Sequence, residues 1–231
     1  MKLDNKRTIL TGFAFLSICA FWQMYNSIVP LILTNTFHLN ETYSGAIMAA
    51  DNVLALFLLP LFGAISDRTN TKIGKRMPFI LFGTGCAIIL MNLLPLLDNS
   101  YAAAPSTFKT ISFVVVLGLL LVAMGTYRSP AVALMPDITP KPLRSKGNAI
   151  INLMGALGGV IYLGVAAVMY PNSKVAGLAH VNYQPLFMVV SAIMFVAIAI
   201  LFLTIKEPKL LEEQRELEKK HPEWNLAEDD G

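Results

Sequence analysis

Asp51, in IMAADNVLALF, and Arg128, in AMGTYRSPAVALMPD, are charged side chains set inside long uncharged runs. A charge inside a hydrocarbon layer costs several kcal/mol, so each asks for a reason. Asp51 falls about nine residues from the nearer end of its run, roughly 14 Å deep if that run crosses a membrane as a helix. It is the only acid within any of the runs. A carboxyl there could alternate between protonated and ionised as water reaches it from one side and then the other, which proton coupling requires. A neutral, hydrogen-bonded structural aspartate, or a run that begins later, would give the same letters. Arg128 falls about eight residues before the end of its run, some 12 Å inside. Its five fixed donors suit a hydroxyl-rich ligand or a carboxylate, although a long stem could equally carry the head out to the interface. Simple rise arithmetic separates the two charges by roughly 13 Å in depth, so a solvated cavity between them is expected rather than a direct ion pair.

In the first run, FWQMYNSIVPL brings Trp22, Gln23, Tyr25, Asn26 and Ser27 to middle depth. Gln23, Asn26 and Ser27 follow i, i+3, i+4 spacing and share one helix face. Amides offer donors and acceptors, and Trp and Tyr offer flat apolar faces, which together suit a sugar; polar glue between helices is the alternative. Asn148 and Asn152 are i, i+4 on one face of the fifth run and are weaker candidates of the same kind.

The elements that must hold these residues follow from composition. Of 231 residues, 55% are hydrophobic and 14% charged, and the mean hydropathy is +0.59. That balance belongs to a membrane protein. Six stretches, at about 8–34, 43–66, 77–97, 110–135, 147–170 and 184–205, are each long enough to cross a hydrocarbon core of roughly 30 Å. The first far exceeds the apolar core of a secretory signal and is expected to remain as an anchor. The runs are continuous rather than alternating, which favours helices over a barrel. The predicted fold is an all-α bundle of six transmembrane helices.

Lys and Arg are retained on the cytoplasmic side. Lys2, Lys6 and Arg7 precede the first span, Arg68, Lys72, Lys75 and Arg76 join spans 2 and 3, Lys141, Arg144 and Lys146 join spans 4 and 5, and five more follow span 6. The other side carries only Lys109 and Lys174, so both termini are expected in the cytoplasm. The same bias explains the net charge of +3 without a nucleic-acid partner. Cys19 and Cys86 sit inside spans and read as packing residues. No nucleophile set and no metal or haem spacing can be assembled, so neither an enzyme nor a cofactor is expected. Gly155, Gly158, Gly159 and Gly164 mark close helix packing, or else a surface that slides. The stretch from Lys206 onward reads as a solvated, charged tail with a short helix up to Pro222.

The loop GAISDRTNTKIGKRMPFIL places Asp67 at the C-terminal end of span 2, where a helix dipole disfavours an anion. Asp137 sits in the same way after span 4. Each therefore needs a cationic partner. The pattern Gly63-x-x-x-Asp67-Arg68 with a later Gly74-Lys75-Arg76 resembles the signature loop of the major facilitator superfamily between helices 2 and 3. With RMPFIL after it, and with SPAVALMPDITPKPLRSKGNAIINLMGALG at residues 129–158, it is similar to sucrose-type sugar:proton symporters and to the glycoside-pentoside-hexuronide:cation symporters. One departure bears on the substrate: plant sucrose carriers have an arginine where this chain has Val132, whereas Arg128 lies before the proline here.

The resemblance implies an alternating-access carrier for a sugar or glycoside. It implies a cytoplasmic charge network of Asp67, the Arg68-to-Arg76 cluster, Asp137 and Arg144 that latches two halves together, with Asp67 reaching a partner across the interface. The family has twelve spans in two halves with the site between them. This chain resembles the N-terminal half, its tail resembles the start of the central loop, and a complementary C-terminal half is the expected partner, in the plasma membrane. A non-transporting six-helix subunit or scaffold, and an efflux carrier half for drug-like compounds, are the competing readings.

Overall fold

The computed structural model describes residues 3–222 and Trp224. Lys2 and the end of the charged tail lie outside the described residues. Eight α-helices follow in chain order: α1 Asn5–Leu31, α2 Glu41–Arg68, α3 Met77–Ala103, α4 Thr107–Asp137, α5 Arg144–Met169, the four-residue α6 Asn172–Val175, α7 Gln184–Thr204 and α8 Glu207–Lys220. A π-helical turn, Ile32–Thr36, extends α1. Six of these helices, all but α6 and α8, are long and apolar enough to cross a membrane. Their even number puts the first and last spans' outer ends on the same side, and the positive-inside charges make that side cytoplasmic.

The helix starts are written locally. The Asp4 carboxylate accepts the Arg7 N–H at 3.0 Å, and the Asn40 side chain accepts the Tyr43 N–H at 2.9 Å, each satisfying a donor that the first turn leaves open. Prolines stand in the first turns of α3, α7 and α8, where a missing N–H costs nothing.

Packing is built on two close helix pairs, α1 with α5 and α3 with α4; α7 bridges α1 and α3, and α2 lies against α4 and barely touches α1. The α1–α5 crossing depends on missing side chains. A Cβ at Gly158 would run into the backbone of Leu16, and one at Gly155 would meet Cys19 Sγ at 2.9 Å, whereas Gly159 and Gly164 face open space. Half of the glycine pattern is therefore a packed seam. Tyr127 of α4 is fully buried and donates its hydroxyl to the Ala14 carbonyl of α1 at 2.8 Å, with the Ser17 hydroxyl also bonded to it. In a bilayer such hydrogen bonds add to van der Waals packing as the main attraction between helices.

The segment after Ile205 departs from the expected solvated tail. α8 lies along the cytoplasmic face with Leu210 and Gln214 buried and Glu207 wholly so. Arg7 Nη2 of α1 bonds Glu213 at 3.3 Å. Its one apolar edge in an otherwise charged helix gives it a surface to dock by, which the excess of charge concealed.

Candidate functional site

At middle depth, α1, α2 and α4 bring together part of the expected constellation. Trp22, Asp51 and Arg128 line one small cavity of about 20 Å³ with Leu54, Leu58 and Gly125, room for about one water molecule. The Arg128 Cζ lies 5.7 Å from the centroid of the Trp22 ring, a cation–π arrangement. Tyr25 meets Trp22 edge-on with ring centroids 5.2 Å apart. Trp22 Nε1, the Tyr25 hydroxyl and Asp51 Oδ1 are all buried with no hydrogen-bond partner among the described residues. Buried polar groups are usually paired, so three orphans within one neighbourhood amount to an unspent recognition capacity.

Asp51 and Arg128 line this same cavity, which is narrow rather than broadly solvated. They form no ion pair among the described residues. The Arg128 guanidinium lies over the Trp22 ring and lines the cavity.

The other polar candidates are placed elsewhere. Gln23 and Asn26 line neither this cavity nor the larger groove described next, and the Ser27 hydroxyl is spent on the Gln23 carbonyl at 2.7 Å. Asn148 and Asn152 line a groove of about 520 Å³ toward the cytoplasmic end, together with Phe15, Val132 and Arg144.

The cytoplasmic loop builds a second cluster around Arg76, which is only 4% exposed. Its Nε donates to Asp137 Oδ2 at 2.9 Å, its Nη2 to Asp67 Oδ1, and its Nη1 to the Ser66 hydroxyl and to the Gly63 carbonyl at 3.3 Å. Lys75 Nζ lies 3.0 Å from Asp137 Oδ2 and 3.7 Å from Asp67 Oδ1. The two acids set against helix C-termini thus share two cations of their own chain. Asp67 therefore has cationic partners within its own chain, while its side chain stays 55% exposed. Arg68 is exposed with no ion pair among the described residues, and Arg144 stands apart, its Nε donating to the Thr139 carbonyl at 3.3 Å.

Glu207 completes the cluster and was not singled out from sequence. Its carboxylate accepts the backbone N–H groups of Lys75, Arg76 and Met77, each at 2.9 Å, and so caps α3. An anion at a helix N-terminus is favoured by both the open donors and the dipole. Gly74 adopts φ +120°, and any Cβ there would overlap the Glu207 side chain, so the motif glycine serves the turn and the cap together. The sequence signal was an acid before a proline in KEP, a helix-start pattern that says nothing about where the carboxylate points.

A third polar group lies at the outer end. Asp98 falls within α3, which runs past the expected end of the third span, so Asp51 is not the only acid in a spanning helix. Asp98 is wholly buried, with His180 Nε2 at 3.8 Å; the same nitrogen meets Asn99 Oδ1 at 2.9 Å. Burial and then the charge of Asp98 push the nearby Tyr183 hydroxyl above the usual tyrosine range, so it stays protonated.

The sequence profile of the Major Facilitator Superfamily matches residues 11–227. Sucrose transport protein SUC3 of Arabidopsis thaliana is 27% identical over 154 residues, which cover 61% of this chain and 25% of that protein. Sucrose transport protein SUT3 of Oryza sativa subsp. indica is 30% identical over 123 residues, 47% of this chain and 24% of that one. The alpha-ketoglutarate permease of Escherichia coli (strain K12) is 27% identical over 180 residues, 75% and 37% of the two chains. The chain thus spans between about a quarter and somewhat over a third of the length of these relatives. With its six apolar helices and a profile match over nearly its whole length, this integral membrane protein belongs to the Major Facilitator Superfamily.

Proposed function

We propose that this chain is the N-terminal six-helix half of a secondary active transporter that couples symport of a sugar or glycoside to protons by alternating access. The observation that carries this reading is the cavity shared by Trp22, Asp51 and Arg128, with the orphaned Trp22 Nε1 and Asp51 Oδ1 and, in the ring packed against Trp22, the orphaned Tyr25 hydroxyl. Asp51 is the proton-coupling residue. Trp22 and Tyr25 supply flat apolar faces and single donors to a sugar ring, and Arg128 supplies the charged end. Gln23, Asn26 and Asn152 would enter the site only when the cavity widens. The cluster of Gly63, Asp67, Gly74, Lys75, Arg76 and Asp137 holds α2, α3 and α4 rigidly at their cytoplasmic ends, and the exposed edge of Asp67 with Arg68 and Arg144 forms the latch toward the other half. A complementary C-terminal six-helix half closes the cavity, and the plasma membrane is the proposed location.

A second reading keeps the mechanism and changes the cargo. Arg128 is a fixed cation lining the cavity, and one relative is named as an alpha-ketoglutarate permease, so a small carboxylate is the alternative substrate class. Uptake into vesicles that carry the chain with its complementary half separates the two, using a panel of sugars and glycosides beside small carboxylates, with and without an inward proton gradient. Gradient-driven accumulation of a neutral glycoside supports the first reading. Accumulation of carboxylates alone supports the second, and no accumulation of either favours a non-transporting six-helix subunit.

A further inference from the structure

We propose that the groove between the α2–α3 loop and the α7–α8 junction binds the phosphate of an anionic phospholipid from the cytoplasmic leaflet. The groove has a volume of about 390 Å³ and is lined by Lys72, Lys206 and Lys209 around Ile73, Met77, Phe202, Ile205 and Pro208. All three lysines are exposed, and none has a side-chain hydrogen bond or ion pair among the described residues. No acid lines the groove. The nearest in sequence, Glu207, is buried and turned into the N-terminus of α3, where three backbone N–H groups hold it.

A neighbouring groove makes the contrast. Lys206 and Lys209 also border it, but there Asp4 and Glu213 stand beside Lys6 and Arg7, and the charges are mixed. Only the side facing Lys72 is uniformly cationic.

The floor identifies a lipid rather than a free anion. Ile73 and Phe202 are 40% and 41% exposed, and Leu203, next to Phe202 on α7, is 73% exposed. An apolar surface thus runs from the groove onto the membrane-facing side of α7. The groove lies where α7 ends and α3 begins, the level of the headgroups. A phosphate held by the ammonium groups would leave its acyl chain against Phe202 and Leu203, so both ends of one molecule are satisfied. Lysines that merely set topology need neither a shared groove nor an apolar floor.

The test uses the full chain in detergent and measures retention of phosphatidylglycerol against phosphatidylcholine of the same acyl chains by native mass spectrometry. The Lys72→Gln/Lys206→Gln/Lys209→Gln variant is compared with a control that loses three other exposed cytoplasmic lysines, Lys146→Gln/Lys219→Gln/Lys220→Gln. The wild type and the control should prefer phosphatidylglycerol by about tenfold, and the groove variant should lose most of that preference. Lys72→Gln alone should fall between them, which reads the site with α7 and α8 unaltered. Excess inorganic phosphate should not displace the lipid. An undiminished preference in the groove variant, equal loss in the control, no preference in the wild type, or displacement by inorganic phosphate would each overturn the proposal.

Discussion

The carboxylate of Glu207 accepts the backbone N–H of Arg76 at 2.9 Å, so the first residue of α8 closes the N-terminus of α3 from 131 positions away. The cap holds the backbone of the residue whose guanidinium ties α2 to α4. Glu207→Ala should cost about 2–3 kcal/mol, because it strips the acceptor from three N–H groups at once. Glu207→Gln keeps one acceptor oxygen and should cost about half as much. Gly74→Ala should match the alanine variant through a different route, since it both strains a positive φ and pushes Glu207 away. Thermal unfolding in detergent measures all three; stability at the wild-type level in Glu207→Ala would contradict the capping account.

Arg76 is the centre of the charge cluster, and its loss should be worse than the loss of either acid. Arg76→Ala leaves Asp137 and the Ser66 hydroxyl without their main partner and should cost about 3–5 kcal/mol. Asp137→Asn should cost less, because Arg76 keeps Asp67, Ser66 and Gly63. A double-mutant cycle between positions 76 and 137 should give a coupling of about 1–3 kcal/mol. Coupling near zero would mean that the two are neighbours without interacting.

Adjacent glycines of α5 should behave oppositely. Gly158→Ala drives a methyl into the Leu16 backbone and should destabilise the α1–α5 seam by about 1–3 kcal/mol. Gly159→Ala meets nothing within 4 Å and should be close to neutral or slightly stabilising. Equal effects at the two positions would refute the seam.

How legible all this was depends on sequence distance. Uncharged runs and the distribution of Lys and Arg gave the six helices and the cytoplasmic loops, because both signals are local and the bilayer imposes them. Asp67 against the dipole correctly asked for a cation, but the pattern could not say that Arg76, nine positions on, would fold back to supply it. Glu207 was illegible because its partners lie about 130 positions away, and an acid in a charged tail looks like solvation. Asp98 lies one residue beyond the expected third span, which ends six residues before α3 does. The sequence selected Trp22, Gln23, Tyr25, Asn26 and Ser27 on α1, Arg128 on α4, Asn148 and Asn152 on α5 and Asp51 on α2; helix rotation and the off-centre position of α2 admit Trp22, Tyr25, Arg128 and Asp51 to one neighbourhood and leave Gln23, Asn26, Asn148 and Asn152 outside it.

Arg128 should report on the cargo. Arg128→Lys keeps the charge but loses the guanidinium over Trp22 and the forked donors, so half-saturation for the substrate should rise about tenfold or more while the proton gradient still drives accumulation. Trp22→Phe retains a ring for the cation and removes only Nε1, and should have the smaller effect. Substrate uptake curves for the two variants make the comparison.

Proton coupling at Asp51 is tested most directly by gradient-driven uptake through the Asp51→Asn variant, assembled with its complementary half in vesicles. Asparagine fits the same space and cannot exchange a proton. Accumulation against a substrate gradient should disappear, while substrate exchange at equal concentrations on both sides should persist. Accumulation at the wild-type level, with the same dependence on the proton gradient, would contradict proton coupling at Asp51.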